Sequence, residues 1–357
     1  MKWPLFELFP SLAGAVPVLE LAELPTPVRP LAALGARLGA PSLWLKDDGP
    51  SSPHYGGNKV RKLELLLAAA KRAGSKSVLT FGYAGSNHAT ATAVHAARVG
   101  LQSISILLPQ HNAPYLRRNL LVSAGVGAEI HEYPSRAALI GGAALTLLRR
   151  TLRDGRPPYL IAPGGSSELG TIGFVNAAFE LTGQSRAGAL PLPDLIYAAG
   201  GSLGTVVGLG IGMAALGLAT RIVAVRVVDE QFVNPLRADK LWKRTVALLR
   251  RHDGSFPDPG TPGNRIEYRG DFYGGLYARP TPESEAAHRL AGELEGLDLD
   301  QTYTSKTLAC LVADAQGGRL AESTVLFWNT CNSSDVRALA ARANPAQLPK
   351  RLQRYFH

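Results

Sequence analysis

The run His54-Tyr-Gly-Gly-Asn-Lys-Val-Arg-Lys62 sets one lysine, Lys59, between a Gly-Gly pair and a helix expected over Val60–Arg72. A lysine condenses with an aldehyde only as the neutral amine, so that chemistry needs burial or neighbouring cations to lower its pKa. Arg61 and Lys62 are the cations at hand, and Gly56 and Gly57 let backbone approach a flat ligand without Cβ clashes. The same pattern also describes a Gly-Gly turn before a helix with Lys59 in solvent, and the rest of the chain has to decide.

Three more places carry chemistry. Tyr83-Ala-Gly-Ser-Asn-His88 follows the apolar SVLTFG and opens a helix. Its backbone N–H groups, the Ser86 hydroxyl and the Asn87 amide suit a carboxylate, with an ordinary helix N-cap as the other reading. His88 and His95 lie two turns apart on one face, and without further ligands at metal spacing they read as packing or capping, with no metal. Gly200-Gly201-Ser202-Leu203-Gly204-Thr205 follows DLIYAAG and again precedes a helix, a cradle for one phosphate. These residues also fit two other motifs. Ala199-x-Gly201-x-x-Gly204 with Asp229 approximates a dinucleotide fingerprint, and Gly200-x-Ser202-x-Gly204 fits the nucleophile elbow of a serine hydrolase. Neither uses Lys59. Near the C-terminus, Tyr303 could act as an acid or as a ring against a planar cofactor, and Thr330 ends the strand STVLFWN, where a hydroxyl can point inward.

The elements around these loops alternate. SVLTFG, SISILLP, AEIHEY and PYLIAPGG are separated by helical segments, and DLIYAAG, RIVAVRVV and STVLFWN form a second series around a long polar stretch from Asp229 to Pro282. Such alternation implies βαβ units, hence an α/β fold with two mainly parallel sheets, each wrapped by helices. Ligands in these folds sit where loops leave the C-terminal strand ends, which is where the marked loops fall. The uncharged run Leu195–Thr220, with glycines at GxxxG spacing, is formally long enough for a membrane, but Gly200-Gly201-Ser202 splits it into a strand and a helix. The length of 357 residues suits two domains, and the net charge of +10 is scattered over helix faces, against nucleic acid as a partner. Prolines and Glu7 interrupt the N-terminus as a signal peptide, and Cys310 and Cys331 give no disulfide framework, so a cytoplasmic location is expected.

Together the segments PTPVRPLAALG, LWLKDDG, GGNKVRKLE, GSNHATATAVHAARVGL, PGGSSELGTIGFVNAAFE, AAGGSLGT and GLDLDQTYTSKTLACL resemble one family. It is the pyridoxal-phosphate enzymes of tryptophan-synthase β type (fold type II), specifically the D-cysteine desulfhydrase and 1-aminocyclopropane-1-carboxylate (ACC) deaminase family. The resemblance implies two three-layer α/β/α domains, a larger cofactor domain of residues 1–62 plus 166–357 and a smaller substrate-side domain of residues 63–165. It implies that Lys59 carries pyridoxal 5'-phosphate and moves the substrate α-proton, that Gly200 to Thr205 hold the phosphate, and that Asn87 meets the ring O3′. Ser86 would face the substrate carboxylate and take part in proton handling. Tyr303 matches the family's site tyrosine, Tyr277 in GGLYARP a second, and Thr330 falls near the pyridine nitrogen, where a neutral hydroxyl makes the ring a milder electron sink. A homodimer is implied as well. ACC deaminases carry Glu after the site tyrosine and Leu in the C-terminal loop; Thr304 and Thr330 stand there instead, which favours β-elimination from D-cysteine, with ACC deamination or another β-substituted amino acid such as D-serine or a sulfonated analogue as alternatives. The family usually has His-Thr-Gly-Gly where this chain reads Asn329-Thr-Cys-Asn332, and the loss of two glycines is expected to narrow the site or alter its substrate.

Overall fold

Leu195–Gly200 and Val325–Asn329 are buried along their whole length, which a strand achieves only between other strands with both sheet faces covered. The computed structural model, which describes residues 3–357, places both in the middle of a six-stranded sheet. In chain order the ten strands are β1 (Val28–Pro30), β2 (Leu43–Asp47), β3 (Ser77–Tyr83), β4 (Gln102–Leu108), β5 (Glu129–Glu132), β6 (Tyr159–Ile161), β7 (Leu195–Gly200), β8 (Arg221–Arg226), β9 (Ile266–Arg269) and β10 (Val325–Asn329). The larger sheet has the order β1-β2-β10-β7-β8-β9, parallel except for β1. The smaller has the order β5-β4-β3-β6 and is parallel throughout. The expected α/β class with mainly parallel sheets is therefore found.

Side chains alternate across the larger sheet as the strand pleat requires. Ile196, Ala198, Ile222, Ala224, Leu326 and Trp328 join one core; Leu195, Tyr197, Val223, Val225, Val325 and Phe327 join the other. The long helix Glu168–Arg186 lies on the first face against helices Lys59–Arg72 and Gly204–Ala215. The GxxxG spacing serves that packing: a Cβ on Gly208 would come 2.5 Å from the Phe174 Cβ, and one on Gly212 would come 2.4 Å from the Ala178 Cβ. The run 195–220 is thus β7 and a buried helix, and among the described residues no helix is long and apolar enough to cross a membrane.

The polar stretch Asp229–Pro282 is not irregular throughout. It holds the helix Pro235–His252, which buries Ala238, Trp242, Val246 and Leu249 and turns its basic residues outward, and then β9. After β10 the chain crosses to the smaller sheet and the helices on it, the smaller lobe, where Leu348, Leu352 and Tyr355 pack on Leu107, Leu116, Leu120 and Ile130.

Because β2, β10 and β7 are parallel and in register, with Asn329 beside Asp47, their C-terminal ends share one edge. The Gly56-Gly57 turn, the Thr330 loop and the Gly200–Thr205 loop all leave from that edge. The C-terminal end of β3 brings in Ser86 and Asn87 from the smaller lobe.

Candidate active site

Lys59 is the first residue of its helix and is half-buried. Its Nζ donates to the Asn58 Oδ1 at 2.9 Å, while the Asn58 Nδ2 donates to the Thr205 Oγ1 at 3.1 Å, so one asparagine ties the lysine to the glycine loop. Burial brings the Lys59 amine down to about 8, against the opposing pull of Asp300 and Asp48. Burial, and not the neighbouring cations, is the cause. Arg61 is turned inward, its Nε and Nη2 on the Asp48 Oδ1 at 3.0 and 2.8 Å and its Nη1 on the Glu180 Oε2 at 2.8 Å. Lys46 also donates to Glu180 at 2.6 Å, and the Trp328 Nε1 donates to Asp48 at 2.8 Å. Four buried charges, two of each sign, thus anchor the start of the Lys59 helix.

Lys62 lies three residues on, hence on the same helix face. It is fully buried, and its Nζ donates to the Gly164 carbonyl at 3.2 Å and the Ser166 Oγ at 3.3 Å. Among the described residues no carboxylate pairs with it, and burial, with Lys59 second, holds its amine well below the ordinary lysine value. The same Ser166 hydroxyl accepts from the Gly204 N–H at 3.0 Å, at the start of helix Gly204–Ala215. A Cβ on Gly204 would stand 2.8 Å from the Ser166 Oγ and 2.9 Å from the Lys62 Nζ, and the Thr171 hydroxyl beside them is buried without a partner. A helix N-terminus, a buried lysine amine that an arriving anion would re-protonate, and spare hydroxyls fit a phosphate group. Lys62, Ser166 and Asn58 were not picked out as site residues by sequence reasoning; for Lys62 the i, i+3 spacing from Lys59 was the available signal.

Across the pocket, the Ser86 Oγ caps its helix by accepting from the Ala89 N–H at 3.3 Å. The Asn87 Oδ1 accepts from the Asn119 Nδ2 at 2.8 Å and the Tyr55 hydroxyl at 3.3 Å, which leaves the Asn87 amide N–H groups for other work. His95 bonds the Tyr55 carbonyl at 2.8 Å and His88 bonds Thr80 at 3.0 Å, so both histidines pack and position. Among the described residues no cluster of metal-ligating side chains forms.

One pocket joins Lys59, Asn87, Gly201, Ser202, Thr205, Tyr303 and Thr330, together with Tyr55, Asn58, Asp300 and Asn332. Gly200, Leu203, Gly204, Ser86 and Tyr277 are not among the residues that line it. Tyr277 reaches it through a hydrogen bond between its hydroxyl and that of Tyr303, and stacks on Tyr83 with ring centroids 4.3 Å apart. Burial raises both phenols well above the ordinary tyrosine value, so they stay protonated. Asp300 fixes the Tyr303 turn, its Oδ1 accepting the N–H groups of Thr302 and Tyr303 at 3.0 and 2.7 Å. The Tyr303 ring centroid lies 6.0 Å from the Lys59 Nζ. Among the described residues no histidine lines this pocket, which speaks against a hydrolase elbow at Ser202.

The altered C-terminal loop clips the Gly-Gly turn. The Asn332 Oδ1 accepts from the Gly56 N–H at 2.6 Å and the Ser334 N–H at 3.0 Å, and the Thr330 carbonyl accepts from Asn58 at 3.3 Å. Gly57, at φ +82°, lies so close that a Cβ would be 2.9 Å from that carbonyl.

The chain is similar to several known proteins. A family model described as pyridoxal-phosphate dependent enzyme matches residues 19–330. A solved structure of an ACC deaminase homologue superposes with a TM-score of 0.79 at 32% identity, covering 96% of this chain and 100% of that one. The D-cysteine desulfhydrase of Klebsiella pneumoniae (strain 342) is 31% identical over 326 residues, 88% of this chain and 93% of its own length. The nocardicin C-9' epimerase of Nocardia uniformis subsp. tsuyamanensis is 32% identical over 329 residues, 90% and 95% of the two chains. The likeness read from the sequence segments is borne out. Matches this extensive on a superposable fold show that the chain belongs to the pyridoxal-phosphate dependent enzymes and that pyridoxal phosphate is its cofactor.

Proposed function

We propose that the protein is a lyase that eliminates the β-substituent of a small amino acid, D-cysteine foremost, giving pyruvate, ammonia and hydrogen sulfide. The observation that carries this reading is the Lys59 amine, brought to about 8 by burial, in one pocket with Asn87, Tyr303 and Thr330. When bound, pyridoxal phosphate supplies an aldehyde for amines and a ring that takes up electrons from Cα. Lys62, Ser166, Thr205 and the backbone around Gly201 to Gly204 would hold its phosphate. Asn87 and Thr330 would meet its ring. The Ser86 turn at the helix N-terminus holds the substrate carboxylate. Lys59, neutral above about pH 8, takes the proton from Cα, and the protonated Tyr303 hydroxyl, backed by Tyr277, is a donor for the departing group. Thr304, which follows Tyr303, gives its hydroxyl to Asp300 at 2.8 Å, so no acidic side chain occupies that position. In this reading residues 63–165 form the substrate side, and the working assembly is a cytoplasmic homodimer.

The test is direct. The protein as purified is expected to be yellow and to be labelled at Lys59 by borohydride. With D-cysteine it should release pyruvate and sulfide in equal amounts. Lys59→Ala that still holds the cofactor covalently would sink the assignment. ACC giving 2-oxobutanoate, turnover of D-serine or a sulfonated analogue in place of D-cysteine, or inversion at Cα with the β-substituent retained, would each move the reaction elsewhere within the family. Sedimentation at micromolar concentration tests the dimer.

A further inference from the structure

The two walls of the pocket come from different lobes, and a short chain of hydrogen bonds joins them. On the smaller lobe, the backbone of Gly85 is held at both of its polar groups. Its N–H donates to the Gln110 Oε1 at 2.9 Å and its carbonyl accepts from the Asn119 Nδ2 at 3.0 Å. Because the Gln110 Oε1 faces that N–H, its Nε2 faces the other way and donates to the Tyr115 hydroxyl at 2.8 Å. The same hydroxyl meets the Thr302 Oγ1 of the larger lobe at 3.0 Å, across 187 positions of sequence. Thr302 is the residue before Tyr303, in the turn that Asp300 caps.

Both ends of this chain are anchored. The Gln110 N–H donates to the Tyr355 hydroxyl at 3.3 Å, which in turn donates to the buried Glu132 at 2.7 Å. At the other end, the Asp300 carboxylate fixes Thr302, Tyr303 and Thr304. The corner is also tight: a Cβ on Gly85 would be 2.9 Å from the Gln110 Nε2, 2.9 Å from the Tyr115 Cε2 and 3.0 Å from the Leu116 Cβ. The chemistry of position 110 is specific. A carboxamide accepts from a backbone N–H with one atom and donates to a phenol with the other; glutamate loses the donor and leucine loses both.

We propose that Gln110, Tyr115 and Thr302 form a clasp that sets the Gly85–Ser86–Asn87 turn and the Tyr303 turn in place as one unit, with Gln110 the positioning residue. The clasp depends on this pocket being the working site, but not on which amino acid it receives. Moving either turn alone stretches one of these part-buried hydrogen bonds, so loosening one end is transmitted to the other.

Amide hydrogen exchange on the cofactor-loaded protein tests this without any substrate. Thr302→Val keeps the shape and removes the hydroxyl; it is expected to speed exchange about fivefold in residues 83–90, on the opposite lobe, as well as in residues 300–306. Tyr115→Phe should give the same pattern, the double variant no more than either single one, and Thr302→Ser should restore protection. Gln110→Glu should fall between wild type and Gln110→Leu. Exchange confined to residues 300–306 in Thr302→Val, or additive effects in the double variant, overturns the clasp. A Lys59 that borohydride fails to label bears on the proposed reaction and leaves this readout intact.

Discussion

Replacing Arg61 by methionine removes the guanidinium that bridges Asp48 and Glu180 while keeping most of the side chain's apolar volume. Arg61 is 1% exposed and makes two hydrogen bonds to the Asp48 Oδ1, one to each oxygen of Glu180, and one to the Thr26 Oγ1 at 2.9 Å. Without it, two buried carboxylates face the single buried ammonium of Lys46. Breaking a buried pair from one side costs about 3–5 kcal/mol, because the remaining charge has left water without its partner. At roughly 2–4 °C per kcal/mol in a chain of a few hundred residues, the melting temperature should fall by about 10 °C. Adding Asp48→Asn removes the surplus charge, so the double variant should be more stable than Arg61→Met alone, a coupling of the kind that contacting sites show. Asp48 is also one of the two carboxylates that pull the Lys59 amine upward, so in the double variant that amine should titrate lower than in the wild type. Urea unfolding gives the first quantity, and the pH dependence of Lys59 acylation in cofactor-free protein gives the second. Losses that simply add in the double variant, or a Lys59 titration indifferent to Asp48, would refute the reasoning.

Other expectations are simpler to state. In wild-type protein without cofactor, Lys59 acylation should reach half its limiting rate near pH 8; a midpoint near 10.5 would mean that the amine is solvated. Since the folded value lies below the unfolded one, the unfolded chain binds more protons between about pH 8 and 10.5, and the contribution of Lys59 to stability rises with pH across that window. Lys62→Met should weaken retention of pyridoxal 5'-phosphate by about 10-fold or more while leaving binding of phosphate-free pyridoxal little changed, as measured by equilibrium dialysis. Equal losses for both ligands would place Lys62 away from the phosphate.

How much of this was legible in the sequence depended on the range of the interaction. Lys59, the Ser86–Asn87 turn and the Gly200–Thr205 loop sit in strand-to-helix junctions, where a few adjacent residues carry the signal. The fully buried β7 and β10 were equally plain as apolar runs. The helix Glu168–Arg186 was not, because thirteen consecutive residues, 170 to 182, are buried and no amphipathic period survives. In the polar stretch after Asp229, the basic residues around Leu236 to Arg251 read as solvated helix faces, and Trp242, Val246 and Leu249 are the buried side of that helix. Arg61 was read as a charge beside Lys59, whereas its partners, Asp48 and Glu180, stand 13 and 119 positions away and turn it from the pocket. Lys62, Asn58 and Asp300 became site residues only once distant loops had been brought together. Asn332 looked like an obstruction where glycine was expected, and proves to be the clip on Gly56.

The position of β10 has a consequence for how the protein comes into being. It lies between β2 and β7, yet it comes from residues 325–329, more than a hundred positions after β7. On the ribosome, the Lys59 turn and the glycine loop are therefore made early but have no common neighbour to align them. Until that late strand slides in, the two halves of the larger sheet have an open seam of unpaired backbone, the kind of nonlocal closure that is slow and exposed to mispairing. Assembly of the cofactor pocket is thus tied to the insertion of one five-residue strand, and a nascent chain stalled before residue 325 would contain most of the pocket-lining side chains without the geometry that lets them act together.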